Sequence, residues 1–262
     1  MLLSDNFIFS QNSLQNYIDC KRRFYLKEII KLQWPALESE PTRVQEERTA
    51  LGAEFHLLCN QYFCGVPETA IRESINLPEA LQWWDTFISL GLKPAPHLLP
   101  EKAITVPFMD YRLTVHYDLL ITNQSGRYFI YDWKTNLKQP QRTTLAKRMQ
   151  TIIYPMVLQL FCESNSPGNS QPENIRMIYW YPGFPAHPIE FQYDQATYTS
   201  QKSDLANLIT EIIRNEKENF SMTEKISHCM FCQYRSFCNR GEKAGEFSEE
   251  SSDFSIDNAL SE

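Results

Sequence analysis

Asp118, Asp132 and Lys134 lie close together in a stretch otherwise rich in aromatic and aliphatic residues. His116-Tyr-Asp118-Leu-Leu-Ile121 and Tyr128-Phe-Ile-Tyr-Asp132-Trp133-Lys134-Thr135 each read as a short strand, and Asn123-Gln-Ser-Gly126 between them is a turn cluster of the kind that joins antiparallel strands. Residues i and i+2 of a strand share a face, so Asp132 and Lys134 point the same way, and Asp118 on the paired strand can reach the same space. Two carboxylates beside one ammonium make a site for a hard divalent cation, Mg²⁺ or Mn²⁺, with a charged group next to it that can orient or deprotonate water. The plainer alternative is an exposed ion-pair pattern on a strand, which does little.

A second constellation is made of cysteines. Cys229-Met-Phe-Cys232-Gln-Tyr-Arg-Ser-Phe-Cys238 has the spacing C-x2-C-x5-C, and Cys20 is a candidate fourth ligand. Seven cysteines in a chain whose start lacks the regions of a signal peptide argue against a disulfide framework. Cys59, Cys64 and Cys162 lie in apolar helical patterns and read as small buried hydrophobes. A closed Cys₄ set can bind Zn²⁺. Zinc sites usually present two close pairs, however, whereas here 208 residues separate Cys20 from Cys229.

The elements that must position these residues follow from periodicity. A helix is expected over 10–30, with Cys20 inside it, and a second from Thr42 to Cys64, stopped by Gly65. The second contains Gly52-Ala-Glu-Phe-His56. His56 alone would read as an ordinary residue of an apolar face. Gly52 is less expected, because glycine costs about 1 kcal/mol in a helix interior, and it suggests close approach by another backbone. A third helix is expected over 78–90, then strands at about 101–108, 111–121 and 127–134. Glu101, at the start of the first of these strands, reads as an exposed strand-end acid with no assigned role.

A long helix is expected from Thr143 to Cys162, with Pro155 kinking it. Gln150 and Tyr154, at i and i+4, share one of its faces, either as a buried Tyr satisfied by a Gln or as a functional pair. Two more strands at 174–181 and 188–193 and an amphipathic helix at 201–217 complete the pattern. The order implies an α/β fold, with a central mixed sheet flanked by helices.

The 262 residues suffice for one sizeable domain, expected over 1–240. Residues 241–262 carry seven acids and one lysine among many serines, and are expected to be a disordered acidic tail. Leaving them out takes the formal charge from −7 to −1, so the net charge does not argue against a polyanionic partner. Local basic clusters occur at Lys21-Arg22-Arg23 and at Lys138, Arg142, Lys147 and Arg148; solvated helix faces are the alternative reading. No apolar run reaches the length of a membrane span, and a soluble cytoplasmic protein is expected.

In this order, Cys20, Gly52-x3-His56, Asp118, Asp132-Trp-Lys134, Gln150-x3-Tyr154 and Cys229/Cys232/Cys238 resemble the PD-(D/E)XK nuclease superfamily. Within it they resemble the RecB-like nucleases that carry an iron–sulfur cluster, including CRISPR-associated RecB-like exonucleases and the nuclease domains of AddAB-type helicase–nucleases. The resemblance spans about residues 8–240. His116 departs from it, since the family often has glycine two residues before the strand acid. Asp132 stands where many members have glutamate.

The resemblance implies a restriction-endonuclease-like core and a DNA nuclease acting on single strands or ends, in repair or CRISPR adaptation. Its metal would be Mg²⁺ or Mn²⁺, held by His56, Asp118, Asp132 and the backbone carbonyl of Trp133, with Lys134 positioning the attacking water. Gln150 and Tyr154 would hold the scissile phosphate or a nearby base, and Trp133 and Tyr154 could stack bases. Cys20, Cys229, Cys232 and Cys238 would bind a 4Fe–4S cluster, with Zn²⁺ as the alternative. The chain has no Gly-x4-Gly-Lys-Ser/Thr motif, so a motor would be a separate helicase, and CRISPR adaptation proteins are the other candidate partners.

Overall fold

The computed structural model describes residues 2–4, 6–34, 40–123, 125–165 and 171–241, with the side chains of 40–45 left aside. Beyond Gly241, the expected acidic tail lies outside the described residues.

A short strand, β1 (Ile8–Ser10), leads directly into α1 (Gln11–Asp19). Ser10 and Ser13 cap this helix reciprocally: the Ser13 N–H donates to Ser10 Oγ at 3.1 Å and the Ser10 N–H to Ser13 Oγ at 2.9 Å. The single helix expected over 10–30 is broken at Cys20, whose backbone is extended (φ −163°, ψ 109°). The chain resumes as α2 (Lys21–Phe24) and a π-helical turn (Tyr25–Ile29). Cys20 therefore sits at a corner between helices. There the Arg22 N–H donates to Ser221 O at 3.0 Å, tying the corner to the C-terminal segment.

α3 (Glu40–Phe63) matches the expected second helix. The short α4 (Glu68–Ser74), too brief to show a period, precedes α5 (Pro78–Ile88). The strands are β2 (Leu98–Phe108), β3 (Tyr111–Thr122) and β4 (Tyr128–Trp133). The expected long helix is divided into α6 (Arg142–Leu145) and α7 (Met149–Asn165), with Pro155 inside the latter. β5 (Ile175–Trp180), β6 (Ile189–Gln192) and α8 (Gln195–Arg214) complete the fold. α8 begins earlier than expected because Asp194 caps it, accepting from the Thr197 N–H at 2.7 Å.

The six strands among the described residues form one mixed sheet in the order β1-β3-β4-β5-β6, with β2 on the other side of β3. β1 and β4 share one edge of β3: β1 pairs in parallel with Arg112–Thr114, and β4 pairs antiparallel with Leu119–Thr122. One face packs with α1, α7 and α8 around Leu113, Tyr117, Ile130 and Tyr179. Leu119, Trp133 and Trp180 pack with Phe55, Trp84 and Phe87 of α3 and α5 on the other.

The inward phase of two strands reverses partway along. On β3, Leu113, Val115 and Tyr117 belong to the first core, but Leu119 belongs to the second. On β2, Ile104 and Val106 belong to the first core and Leu98 to the second. Strict alternation would keep residues two apart on one face, so each strand is interrupted between these positions. The interruptions face each other at Glu101 and Asp118.

Candidate active site

Glu101 takes the left-handed conformation (φ 47°), and the β2–β3 pairing steps over it from Pro100↔Leu119 to Lys102↔Tyr117. It therefore stands across from Asp118. On the opposite side of β3, pairing with β4 begins at Leu119↔Tyr131, so continuing the register brings Asp118 level with Asp132. Glu101, Asp118 and Asp132 thus occupy one row across three adjacent strands. A left-handed glutamate within a strand is costly, which marks a site where conformation serves position.

α3 brings His56 onto this row, with Nδ1 3.4 Å from Asp118 Oδ1. The other Asp118 oxygen accepts the Trp133 N–H at 2.6 Å, where β4 leaves the ladder. Ligand atoms of His56, Glu101 and Asp118 come within 4.8 Å of one another, a spacing that one cation can bridge. An imidazole and two carboxylates suit a divalent ion such as Mn²⁺ or Mg²⁺. Asp132 is buried beside this group and faces Lys134 and Gln150. Lys134 Nζ lies 2.7 Å from Asp132 Oδ2, and the Gln150 amide donates to Oδ1. Lys134 is itself buried, its ammonium 5.7 Å from the centre of the Tyr179 ring.

The charges reinforce one another. Burial works against the Asp118 carboxylate, but His56, Lys134 and the Trp133 N–H hold it below the usual carboxylate range. Burial also disfavours a charged His56, yet Asp118 outweighs it and pushes the imidazole up to about 9. Glu101 is raised by burial and then by Asp118, with His116 and His56 pulling it back. A ligating imidazole must give up its proton. Mn²⁺ binding at pH 7 is therefore expected to release about one proton from His56, and affinity should rise with pH up to about 9. Calorimetry in buffers of different ionisation enthalpy measures this release, which should vanish in His56→Ala.

A family model described as the PD-(D/E)XK nuclease superfamily matches residues 8–239. The chain belongs to that superfamily. Two solved structures are similar to it. The crystal structure of SSO0001 shares 13% identity over 91% of this chain and 88% of that one, with a TM-score of 0.39. That of a "Putative exonuclease" from Eubacterium rectale shares 8% identity over 78% of this chain and 79% of that one, with a TM-score of 0.48. No curated protein matches the chain.

In this PD-(D/E)XK chain, Asp118, Asp132, Lys134 and His56 converge, and Gln150 joins them through Asp132. Glu101 is the member that its sequence position did not reveal: its relation to the site depends on strand register, and the adjacent alternation stops there. His116 Nδ1, from the position that departs from the family pattern, lies 3.1 Å from Glu101 Oε2. Glu101→Gln is expected to weaken Mn²⁺ binding roughly 10–100-fold, the range seen when groups supporting a metal site are altered; titration followed by electron paramagnetic resonance checks it.

Trp133 and Tyr154 require a correction. They are 1% and 3% exposed, so neither ring presents a face on which a base could stack. Trp133 belongs to the second core. Tyr154 lies beneath the sheet, its carbonyl accepting the Tyr117 hydroxyl at 2.9 Å. Part of the basic cluster at 21–23 is also turned to its own acids: Lys21 pairs with Glu211 and Arg23 with Asp19, each at 2.7 Å. Lys138, Arg142 and Lys147, which follow the active-site strand, are exposed.

Gly52 meets a side chain rather than a backbone. A Cβ placed there would come 2.8 Å from Thr135 Oγ1, one residue beyond Lys134. Alanine would gain about 1 kcal/mol of helix propensity, but overpacking costs typically 1–3 kcal/mol. Gly52→Ala is expected to be net destabilising in urea titrations, and Thr135→Ala in the same chain should restore the loss.

The four candidate cysteines line one cavity, together with Arg23. Burial pushes the Cys229, Cys232 and Cys238 thiols up, and neighbouring cysteines add to this. The seam around them is hydrogen-bonded. His228 Nδ1 meets Asp19 O at 2.9 Å, the Tyr234 hydroxyl donates to Leu32 O at 3.0 Å and Trp34 Nε1 donates to Ser236 Oγ at 2.9 Å. Cys59 and Cys162 are buried as expected, whereas Cys64 is exposed near the end of α3. Among the described residues, no helix is long and apolar enough to cross a membrane.

Proposed function

We propose that the chain is a metal-dependent DNA nuclease of the RecB-like type, an exonuclease hydrolysing phosphodiesters of single-stranded DNA or DNA ends. The observation that carries this is the row Glu101–Asp118–Asp132, with His56 against Asp118 and Lys134 against Asp132. His56, Asp118, Asp132 and the Trp133 carbonyl would hold the metal, and Glu101 belongs with them. Once bound, Mg²⁺ or Mn²⁺ supplies charge neutralisation and an acidified water. Gln150 holds one Asp132 oxygen, so that carboxylate keeps its orientation. Lys134, fixed against the other, carries the ammonium that orients the attacking water and offsets charge developing on the phosphate. Exposed Lys138, Arg142 and Lys147 would contact backbone phosphates, making binding salt-dependent and largely independent of sequence.

We propose that Cys20, Cys229, Cys232 and Cys238 hold a 4Fe–4S cluster, with zinc as the alternative. What supports this is that the four line one cavity although 208 residues separate Cys20 from Cys229, whereas zinc sites usually present two close pairs. The contribution of the cluster would be to join the Cys20 corner to the C-terminal loop.

The test is cleavage of labelled single- and double-stranded DNA by anaerobically purified protein with Mn²⁺, Mg²⁺ or EDTA. Metal-dependent cleavage is the expected result. Binding of DNA without cleavage under every metal condition would instead make the chain a non-catalytic subunit of a helicase–nuclease assembly. Co-purification with a helicase or with CRISPR adaptation proteins would assign the pathway.

A further inference from the structure

We propose that Gln15 is a positioning residue that couples the four-cysteine site to the catalytic metal centre; the inference rests on the reading of both sites given above. The line begins at Asp19, the residue before Cys20 and itself 7% exposed. Asp19 Oδ2 accepts from Arg23 Nη2 at 2.7 Å, and Arg23 lines the cysteine cavity. The Asp19 carbonyl meets His228 Nδ1 at 2.9 Å, one residue before Cys229. The remaining carboxylate oxygen, Oδ1, accepts from Gln15 Nε2 at 2.8 Å. Asp19 is thus oriented from the cysteine side and passes that orientation to Gln15.

Gln15 spends its other end on the catalytic side. Its Oε1 accepts the N–H of Met149 at 3.0 Å. Met149 is the first residue of α7, where a helix has N–H groups with no partner of its own. α1 therefore supplies a cap for α7. The next residue, Gln150, donates its amide to Asp132 Oδ1. From Cys20 to Asp132 each step is a peptide bond or a hydrogen bond: Cys20, Asp19, Gln15, Met149, Gln150, Asp132. The Gln15 amide can donate from its nitrogen to a carboxylate and accept a backbone N–H at its oxygen at the same time.

If the corner at Cys20 is held by ligation, Gln15 keeps the start of α7, and hence Gln150, against Asp132. Releasing the corner loosens the same hold. A chain of contacts is not coupling until it is measured, so the test is a cycle. Mn²⁺ affinity is read by electron paramagnetic resonance for anaerobically purified wild type and Gln15→Met, each before and after oxidative removal of the cluster. Circular dichroism confirms that all four are folded. Methionine keeps the volume and loses both hydrogen bonds.

Stripping is expected to weaken Mn²⁺ binding in the wild type about fivefold or more, the lower range of measured site–site coupling. Gln15→Met should be weakened already and should lose less than about twofold further on stripping. An equal loss in both proteins, or wild-type affinity in unstripped Gln15→Met, overturns the proposal. A Gln15 that only stabilises α7 would lower the melting temperature and leave Mn²⁺ affinity in place, which is the second of these refuting results. Mn²⁺ binding needs no cleavage, so a chain that does not cut DNA still decides the question. Iron and sulfide analysis reports separately on the cofactor; if it finds no cluster, Cys20→Ser replaces stripping and the same outcomes apply.

Discussion

Lys134→Ala is expected to lower DNA cleavage by about a hundred- to a thousandfold, the scale for losing a preorganised group aimed at developing charge, while Mn²⁺ still binds. The separation between rate and metal affinity is the point of the experiment. On the proposed reading Asp118 and Asp132 supply oxygens to the metal, so Asp118→Ala and Asp132→Ala should lose the metal and the activity together. Lys134 supplies no ligand and touches the site through Asp132 Oδ2 at 2.7 Å. Its removal should therefore act on kcat.

A confounding cost must be separated from this effect. Lys134 and Asp132 have side chains only 6% and 3% exposed, and deleting one member of a buried pair costs roughly 3–5 kcal/mol because the other charge stays buried. Gln150 offsets part of that cost. The assay is best run well below the melting temperature of the variant, at saturating Mn²⁺. Lys134→Arg should not rescue, because a planar guanidinium cannot take the place of a compact ammonium packed beside Tyr179. Cleavage at the wild-type rate by folded Lys134→Ala would remove Lys134 from the reaction and leave the row of carboxylates without its charged partner.

The parts of the site legible from sequence were those carried by local pattern. Asp132 and Lys134 are two apart on a strand, so their shared face follows from the pleat. The second helix ends where Gly65 takes a positive φ of 94°. Glu101 does not stand out in the sequence, because its partner lies 17 positions on, and only the register of the two-residue turn at Met109-Asp110, carried back along both strands, puts it across from Asp118. A sign was nevertheless present: Leu113, Val115 and Tyr117 alternate cleanly, then Leu119-Leu120-Ile121 run together, so the phase break at Asp118 can be seen once sought. Burial of Trp133 and Tyr154 was also hidden, since an aromatic ring beside a catalytic residue reads alike as platform or as core. Cys20 was placed within a helix because its neighbours are helical on both sides. Only the contacts that its neighbours Asp19 and Arg22 make with His228 and Ser221, some 200 residues later, require the corner.

That corner sets the second large effect. Cys232→Ser is expected to abolish the visible absorbance of anaerobically purified protein and to lower its melting temperature by roughly 10–20 °C. The size follows from chain entropy. A link between Cys20 and Cys229 closes a loop of about 209 residues, and the crosslink relation gives roughly 5 kcal/mol for a loop of that length. Such an amount is a large fraction of the stability of a typical domain. The hydrogen bonds from Trp34, Tyr234 and His228 across the same seam remain in the variant, so the expectation is a weakened chain that still folds at low temperature.

Two other cysteines serve as controls because they fail in different ways. Cys64 is exposed, and Cys64→Ser should change neither colour nor melting temperature. Cys59 is 1% exposed in the second core, and Cys59→Ser should lower the melting temperature by burying a hydroxyl while keeping the colour. Loss of colour together with stability in Cys232→Ser alone identifies a staple that closes the chain. Stability lost with colour intact would mean that Cys232 contributes packing and no ligation, and the bond between the two ends of the fold would then have to come from the seam itself.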